Sequence, residues 1–138
     1  MQPQMDAPAL ERFMAEEFPQ MAPRFRVTGV APMRVNVAMT VNEADLRPGG
    51  TVSGPTMFAL ADCAYYLATL SMIGPKALAV TTSCSIDFMR KPGPAGLTAE
   101  ARILKLGRVL SVGDVLIRSE GIAEPVARAS LTYSIPPR

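Results

Sequence analysis

An α+β fold, in which an antiparallel sheet wraps around one long helix and a short amino-terminal helix stands beside it, is predicted by three observations. Residues 53–73 are apolar on nearly every side of a helix. Four β-like runs follow, separated by short turns. No strand–helix–strand alternation and no internal repeat occurs. The 138 residues fit one domain, 1–138, long enough to bury roughly 68–70% of the surface its unfolded form exposes.

The elements follow in chain order. Asp6 can cap a helix with Ala7 and Pro8 in its first turn, and Leu10, Phe13, Met14 and Phe18 recur at helical spacing before Pro19. Residues 25–41 turn β-like, and the breaker Ala31-Pro32-Met33 divides them into two strands. A Gly- and Pro-rich loop leads to Ser53, a good N-cap, with Pro55 just inside the helix start and Gly74-Pro75 to end it.

That helix, roughly 30 Å long at ~1.5 Å per residue, carries a single charge, Asp62. A helix apolar all round is either enclosed by protein or inserted in a membrane. A central Asp costs ~2.5–3.5 kcal/mol on insertion scales, so enclosure is preferred. Beyond it, residues 78–89 alternate, with Val80, Thr82, Cys84, Ile86 and Phe88 on one side and Thr81, Ser83, Ser85 and Asp87 on the other. Strands over 97–106, 109–119 and 126–135 complete an antiparallel meander. Its exposed edges and uncovered face predict oligomerisation.

Composition narrows the function. With 14 Lys and Arg against 12 Asp and Glu, scattered along the chain, no basic stripe for nucleic acid is formed. The total absence of His removes Ser-His-Asp triads, His general bases and His metal sites together. Cys63 and Cys84 stand in no metal-ligand or C-x-x-C spacing, which suggests reduced thiols. The first residues have neither a basic nor an apolar signal region, so the expected location is cytoplasmic, with no membrane or nucleic-acid partner and no metal.

The segment SGPTMFALAD resembles the H-G-G-x-x-x-x-x-x-D segment that opens the central helix of hotdog-fold acyl-CoA thioesterases, closest to the phenylacetyl-CoA thioesterase-like branch. AVTTSCSIDFMRKP is similar to that branch's strand ending in aromatic-x-R-P, and LTAEARILKLGRVLSVGDVLIRSE to its next two strands. The likeness covers about residues 10–137. It implies a hotdog fold, a homodimer or homotetramer with sites at the dimer interface, and an acyl-CoA substrate whose coenzyme A is the only cofactor-like group. Three positions depart from the pattern: Ser53 replaces the His, Pro55 the second Gly, and Arg47 an Asn six residues before the His.

Thioester hydrolysis needs a group that delivers water or attacks the carbonyl, and a donor for the developing oxyanion. The resemblance assigns the first role to Asp62, as general base or as nucleophile, and the second to the Gly54 backbone N–H at the helix amino terminus. A buried Asp can also serve structure alone, and Gly54 can merely permit the turn. Ser53 reads first as an N-cap, with its hydroxyl near the thioester, and Arg47 as a loop cation that can face the acyl group. Tyr66, four residues after Asp62, can line the acyl pocket or simply pack. Arg90, Arg108 and Lys91 are candidates for coenzyme A phosphates or plain edge charges.

The expected function is therefore hydrolysis of an aryl- or medium-chain acyl-CoA. The alternative is a non-catalytic acyl-CoA-binding hotdog, favoured by the loss of the His at Ser53. Hotdog dehydratases, which pair a His with an acid, are excluded by the lack of His.

Overall fold

The computed structural model describes residues 1–137. Helix α1 (Ala7–Glu17) is followed by β1 (Phe25–Ala31), β2 (Arg34–Met39), helix α2 (Gly54–Ile73), β3 (Val80–Phe88), β4 (Leu97–Leu106), β5 (Leu110–Ser119) and β6 (Ala127–Ser134). The six strands form one antiparallel sheet in the order β1-β2-β4-β5-β6-β3, curled around α2. This is the hotdog arrangement.

The local signals act as expected. Asp6 Oδ1 accepts from the Ala9 N–H at 2.9 Å, and Ser53 Oγ from the Thr56 N–H at 3.3 Å, each capping its helix. Gly74 ends α2 with φ 91°, a conformation that costs a residue with Cβ. Between β1 and β2 the reversal sets Met33 at φ 63°.

The sheet departs from a simple meander. β4, β5 and β6 are sequential neighbours, but β3 crosses to the far edge beside β6, because β2 occupies the place next to β4. The alternation expected along β3 also breaks. A register shift between Thr81 and Ser83 inserts Thr82 as a bulge residue. Thr81 therefore pairs with Tyr133, whose side chain faces α2, and so joins Cys84, Ile86 and Phe88 on the helix side.

α2 is the core. Every residue from Cys63 to Ile73 is buried, and the helix, long and apolar enough to cross a membrane, is enclosed by the sheet instead. Small inward residues, Ala99, Ala101, Ala127 and Ala129, let the strands approach it closely. Gly113 carries this furthest: a Cβ there would collide with the Arg102 carbonyl and lie 2.7 Å from the Tyr65 hydroxyl. That hydroxyl shares a hydrogen bond of 2.9 Å with Ser111 Oγ, which also accepts from Thr69 Oγ1 at 3.0 Å.

At the other edge, α1 covers β1, and Glu11 Oε2 accepts from the Val27 N–H at 2.8 Å, occupying a donor on the free side of that strand. Among the described residues nothing covers the free edge of β3 in this way. Gly113→Ala should destabilise the fold by about 1–3 kcal/mol through overpacking against backbone, read as a lower urea midpoint with an unchanged slope.

Candidate active site

α2 leaves one stripe uncovered. Its only residues that are not buried are Gly54, Pro55, Phe58, Ala59 and Asp62, and the last four fall at helical spacing along one face of the first two turns. Phe58 is 40% exposed there. The stripe runs beside the free edge of β3, whose Val80 and Phe88 are also exposed.

Asp62 sits at the inner end of this stripe, half-buried. Two hydroxyls converge on one of its oxygens: Thr81 Oγ1 donates to Oδ1 at 2.5 Å and Tyr133 Oη at 2.7 Å. Both donors are products of sheet register, since Thr81 and Tyr133 are direct partners on β3 and β6. The carboxylate opens on a cavity of about 620 Å³ lined largely by apolar groups, including Phe18, Met21, Phe58, Ala79 and Val80. Tyr66 lines it too, its hydroxyl donating to the Ala77 carbonyl at 3.0 Å.

The other titratable groups beside Asp62 are held neutral. Burial, and then the Asp62 charge, push the Cys63 thiol up to about 12. Cys84 is raised for the same two reasons. Tyr66 is pushed up to about 12, first by burial and then by Cys63 and Glu17. Neither thiol offers a thiolate near neutral pH, so the acid–base groups left on the lining of this cavity are the carboxyls of Asp62, at the stripe, and Glu17, at the end of α1.

Gly54 opens α2 at a second cavity, of about 690 Å³, lined also by Arg47, Phe88, Arg90 and Lys91. Among the described residues nothing accepts from its N–H, while the Thr56 and Met57 N–H groups are taken by Ser53 and Pro55 has none. A Cβ on Gly54 would sit 3.3 Å from the Phe88 ring. Arg90 donates to the Pro125 carbonyl at 2.8 Å and holds the rim of this cavity.

The turn entering α2 is pinned by a buried carboxylate that sequence reasoning missed. Asp45, 4% exposed, takes an ion pair from Arg24, the Asn42 N–H at 2.9 Å and the Thr56 hydroxyl at 3.0 Å. Ser53 Oγ in turn donates to Thr56 Oγ1 at 3.1 Å, and the Ser53 N–H to the Asp45 carbonyl at 2.8 Å. Ser53 is thus a cap within a network. Burial works to raise the Asp45 pKa, but the hydrogen bonds from Arg24, Asn42 and Thr56 outweigh it and hold the carboxyl below its usual value.

The expected site residues therefore fall into two groups. Asp62 and Tyr66 share one cavity; Gly54, Arg47 and Arg90 share the other; Ser53 stands behind the latter. Arg108 lines neither and lies on the β4–β5 turn, at the opposite end of the sheet from Gly54. Asp62 lies eight residue steps along the helix from Gly54, about 12 Å. Thr81 and Tyr133 were not singled out from sequence. Tyr133 left one trace there, a lone polar tip on an inward face otherwise of Ala and Leu.

Comparison with known proteins bears on the family and the fold. The family model described as the thioesterase superfamily matches residues 49–126, more than half of the chain. A candidate thioesterase from Silicibacter sp. TM1040 is 50% identical in sequence, with a TM-score of 0.91 over 99% of this chain and 96% of that one. A mutant of the phenylacetic acid degradation protein PaaI from Thermus thermophilus is 32% identical, with a TM-score of 0.73 over 86% and 99%. The E. coli PaaI protein is 26% identical, with a TM-score of 0.80 over 94% and 93%. A search of curated proteins found no match. Fold and matches define a thioester hydrolase of the hotdog class. The chain belongs to the thioesterase superfamily, on its PaaI-like side.

Because the Asp45 carboxyl is held low in the folded chain, its contribution is complete above the unfolded value, near ~3.9, and is lost as pH falls through the still lower folded value. Urea titrations of wild type and Asp45→Asn should accordingly differ in midpoint at pH 7 and draw together at about pH 2–3.

Proposed function

We propose that the protein hydrolyses the thioester of an aryl- or medium-chain acyl-CoA, with Asp62 as general base or nucleophile and the Gly54 N–H as oxyanion donor. The observation that carries this reading is a carboxylate opening on an apolar cavity of about 620 Å³ with one oxygen left unbonded among the described residues. An acyl chain or aryl ring suits that lining, whereas a polar acyl group would lose hydration without compensation.

In the base route, an Asp62 oxygen takes a proton from water as the water oxygen bonds to the carbonyl carbon and the π pair moves onto the carbonyl oxygen. Collapse breaks the C–S bond, and the departing thiolate takes the proton. In the nucleophilic route the carboxylate oxygen itself bonds to carbon, the thiolate leaves, and water cleaves the resulting anhydride. Both routes need an N–H within about 3 Å of the oxyanion.

Within one protomer the ~12 Å between Gly54 and Asp62 is too great for both to act on one carbonyl. A homodimer resolves this. Pairing two β3 edges antiparallel about a two-fold near Cys84 and Ser85 brings the Phe88 end of one strand opposite the Thr81 end of the other. Phe88 touches the Gly54 position and Thr81 holds Asp62, so each site combines Asp62 of one copy with Gly54 of the second. The exposed Phe58 stripe and the uncovered edge of β3 support this pairing.

Arg47, Arg90 and Lys91, around the Gly54 cavity, provide cations for coenzyme A phosphates. Arg108, on its distant turn, can reach them only from another copy. No cofactor beyond the substrate's own coenzyme A is invoked.

Asp62→Asn should lower kcat by about 10²–10⁴-fold across a panel of acyl-CoAs. Binding of acyl-CoA by wild type without turnover would instead select a non-catalytic binder. The shared site has its own check. Asp62→Asn and Gly54→Pro, the second of which removes the donor N–H at a helix position that tolerates Pro, are each expected to be inactive alone and should recover about a quarter of wild-type activity when unfolded together and refolded, because mixed dimers hold one intact site. Sites built within single chains would recover none.

A further inference from the structure

The two oxygens of Asp62 are not equivalent. Oδ1 receives both the Thr81 hydroxyl, at 2.5 Å, and the Tyr133 hydroxyl, at 2.7 Å. Among the described residues no donor reaches Oδ2. Nor is Oδ2 sealed away, since no buried side-chain oxygen or nitrogen of the described residues lacks a partner. It must therefore touch open space, and the space beside Asp62 is the apolar cavity.

Tyr133 is built to hold this arrangement. Its hydroxyl also lies 3.0 Å from the Asp62 main-chain carbonyl, so it contacts the residue at two points. Its ring packs against those of Tyr65 and Tyr66, with centroids 5.6 and 6.2 Å away and tilted planes. Those two rings come from the turn of α2 directly after Asp62, so helix and strand grip each other at the carboxylate. Burial, and then the Asp62 charge, raise the Tyr133 pKa, so the phenol keeps the proton that it donates to the carboxylate.

We infer that Tyr133 is a positioning residue that, together with Thr81, commits Oδ1 of Asp62 to the protein and leaves Oδ2 as the oxygen that meets water or the thioester. The inference rests on the role proposed for Asp62. Without the Tyr133 hydroxyl the carboxylate keeps one anchor, on the edge strand β3, and can rotate about its Cβ–Cγ bond. The two oxygens then exchange places, and the fraction of time in a reactive geometry falls.

The test uses the full chain, with hexanoyl-CoA and phenylacetyl-CoA as probes, and four proteins: wild type, Tyr133→Phe, Asp62→Asn and the double variant. Tyr133→Phe removes one oxygen atom, and its thermal midpoint is measured alongside. The expected result is a kcat lowered about 10–100-fold with KM within about twofold. In the Asp62→Asn background the same change should leave the residual rate within about twofold. A Tyr133→Phe enzyme with wild-type kcat, beside an inactive Asp62→Asn, overturns the inference and spares the role of Asp62. An equal loss in both backgrounds also overturns it, because the hydroxyl would then act through the fold. An active Asp62→Asn enzyme removes the underlying reading itself.

Discussion

A helix with no polar face must be surrounded, and that requirement governs the rest of the molecule. Residues 63–73 of α2 are buried without exception, which a single flat sheet cannot achieve. Six strands curl around the helix, inner positions shrink to Ala, and β5 gives up a side chain at Gly113 so that Tyr65 can fit. The cost of enclosing Asp62 within such a helix is met by hydroxyls from two strands rather than by a cation. The site is thus a by-product of closure, assembled wherever the wrapping stops short.

The wrapping stops at the first two turns of α2, on the face of Phe58 and Asp62, beside the sheet edge that no described residue covers. The amino-terminal edge is treated differently, with α1 laid over it and Glu11 bonded to the strand. A chain that blunts one edge and leaves the other bare, next to an apolar stripe, has separated a finished surface from an unfinished one. The Asp45 network belongs to the same logic. It fixes the turn before Gly54 by using Ser53, Thr56 and Arg24 together, leaving the Gly54 N–H unclaimed.

Much of this was legible in the sequence, and the exceptions have physical causes. Helix ends were readable because caps and breakers act over three or four residues: Asp6, Ser53 and Gly74 each stand where the chain turns. Asp62 was legible as a solitary charge. Sheet order was not, because whether β3 lies beside β4 or β6 depends on which neighbour β2 has already taken, a non-local competition. Simple alternation puts Thr81 on the wrong face because a bulge has no reliable residue signature, and Tyr133 became meaningful only once its pairing with Thr81 was known. Asp45 was invisible for the opposite reason. A carboxylate in a polar loop looks solvated until Arg24, 21 residues away, is seen to cover it.

The bulge at Thr82 sets an uncommon kind of constraint. A strand has parity, and one extra residue reverses it, so the stretch before the bulge presents to the helix what would otherwise face outward. The Thr82 side chain is exposed and bonds only to the Thr132 carbonyl, at 3.1 Å. Its chemical identity is therefore weakly constrained, but its presence is not. Deleting that one position would swing Thr81 away from the carboxylate while leaving every residue named in the site intact. In this part of the chain it is the count of residues, more than their kind, that selection has reason to preserve.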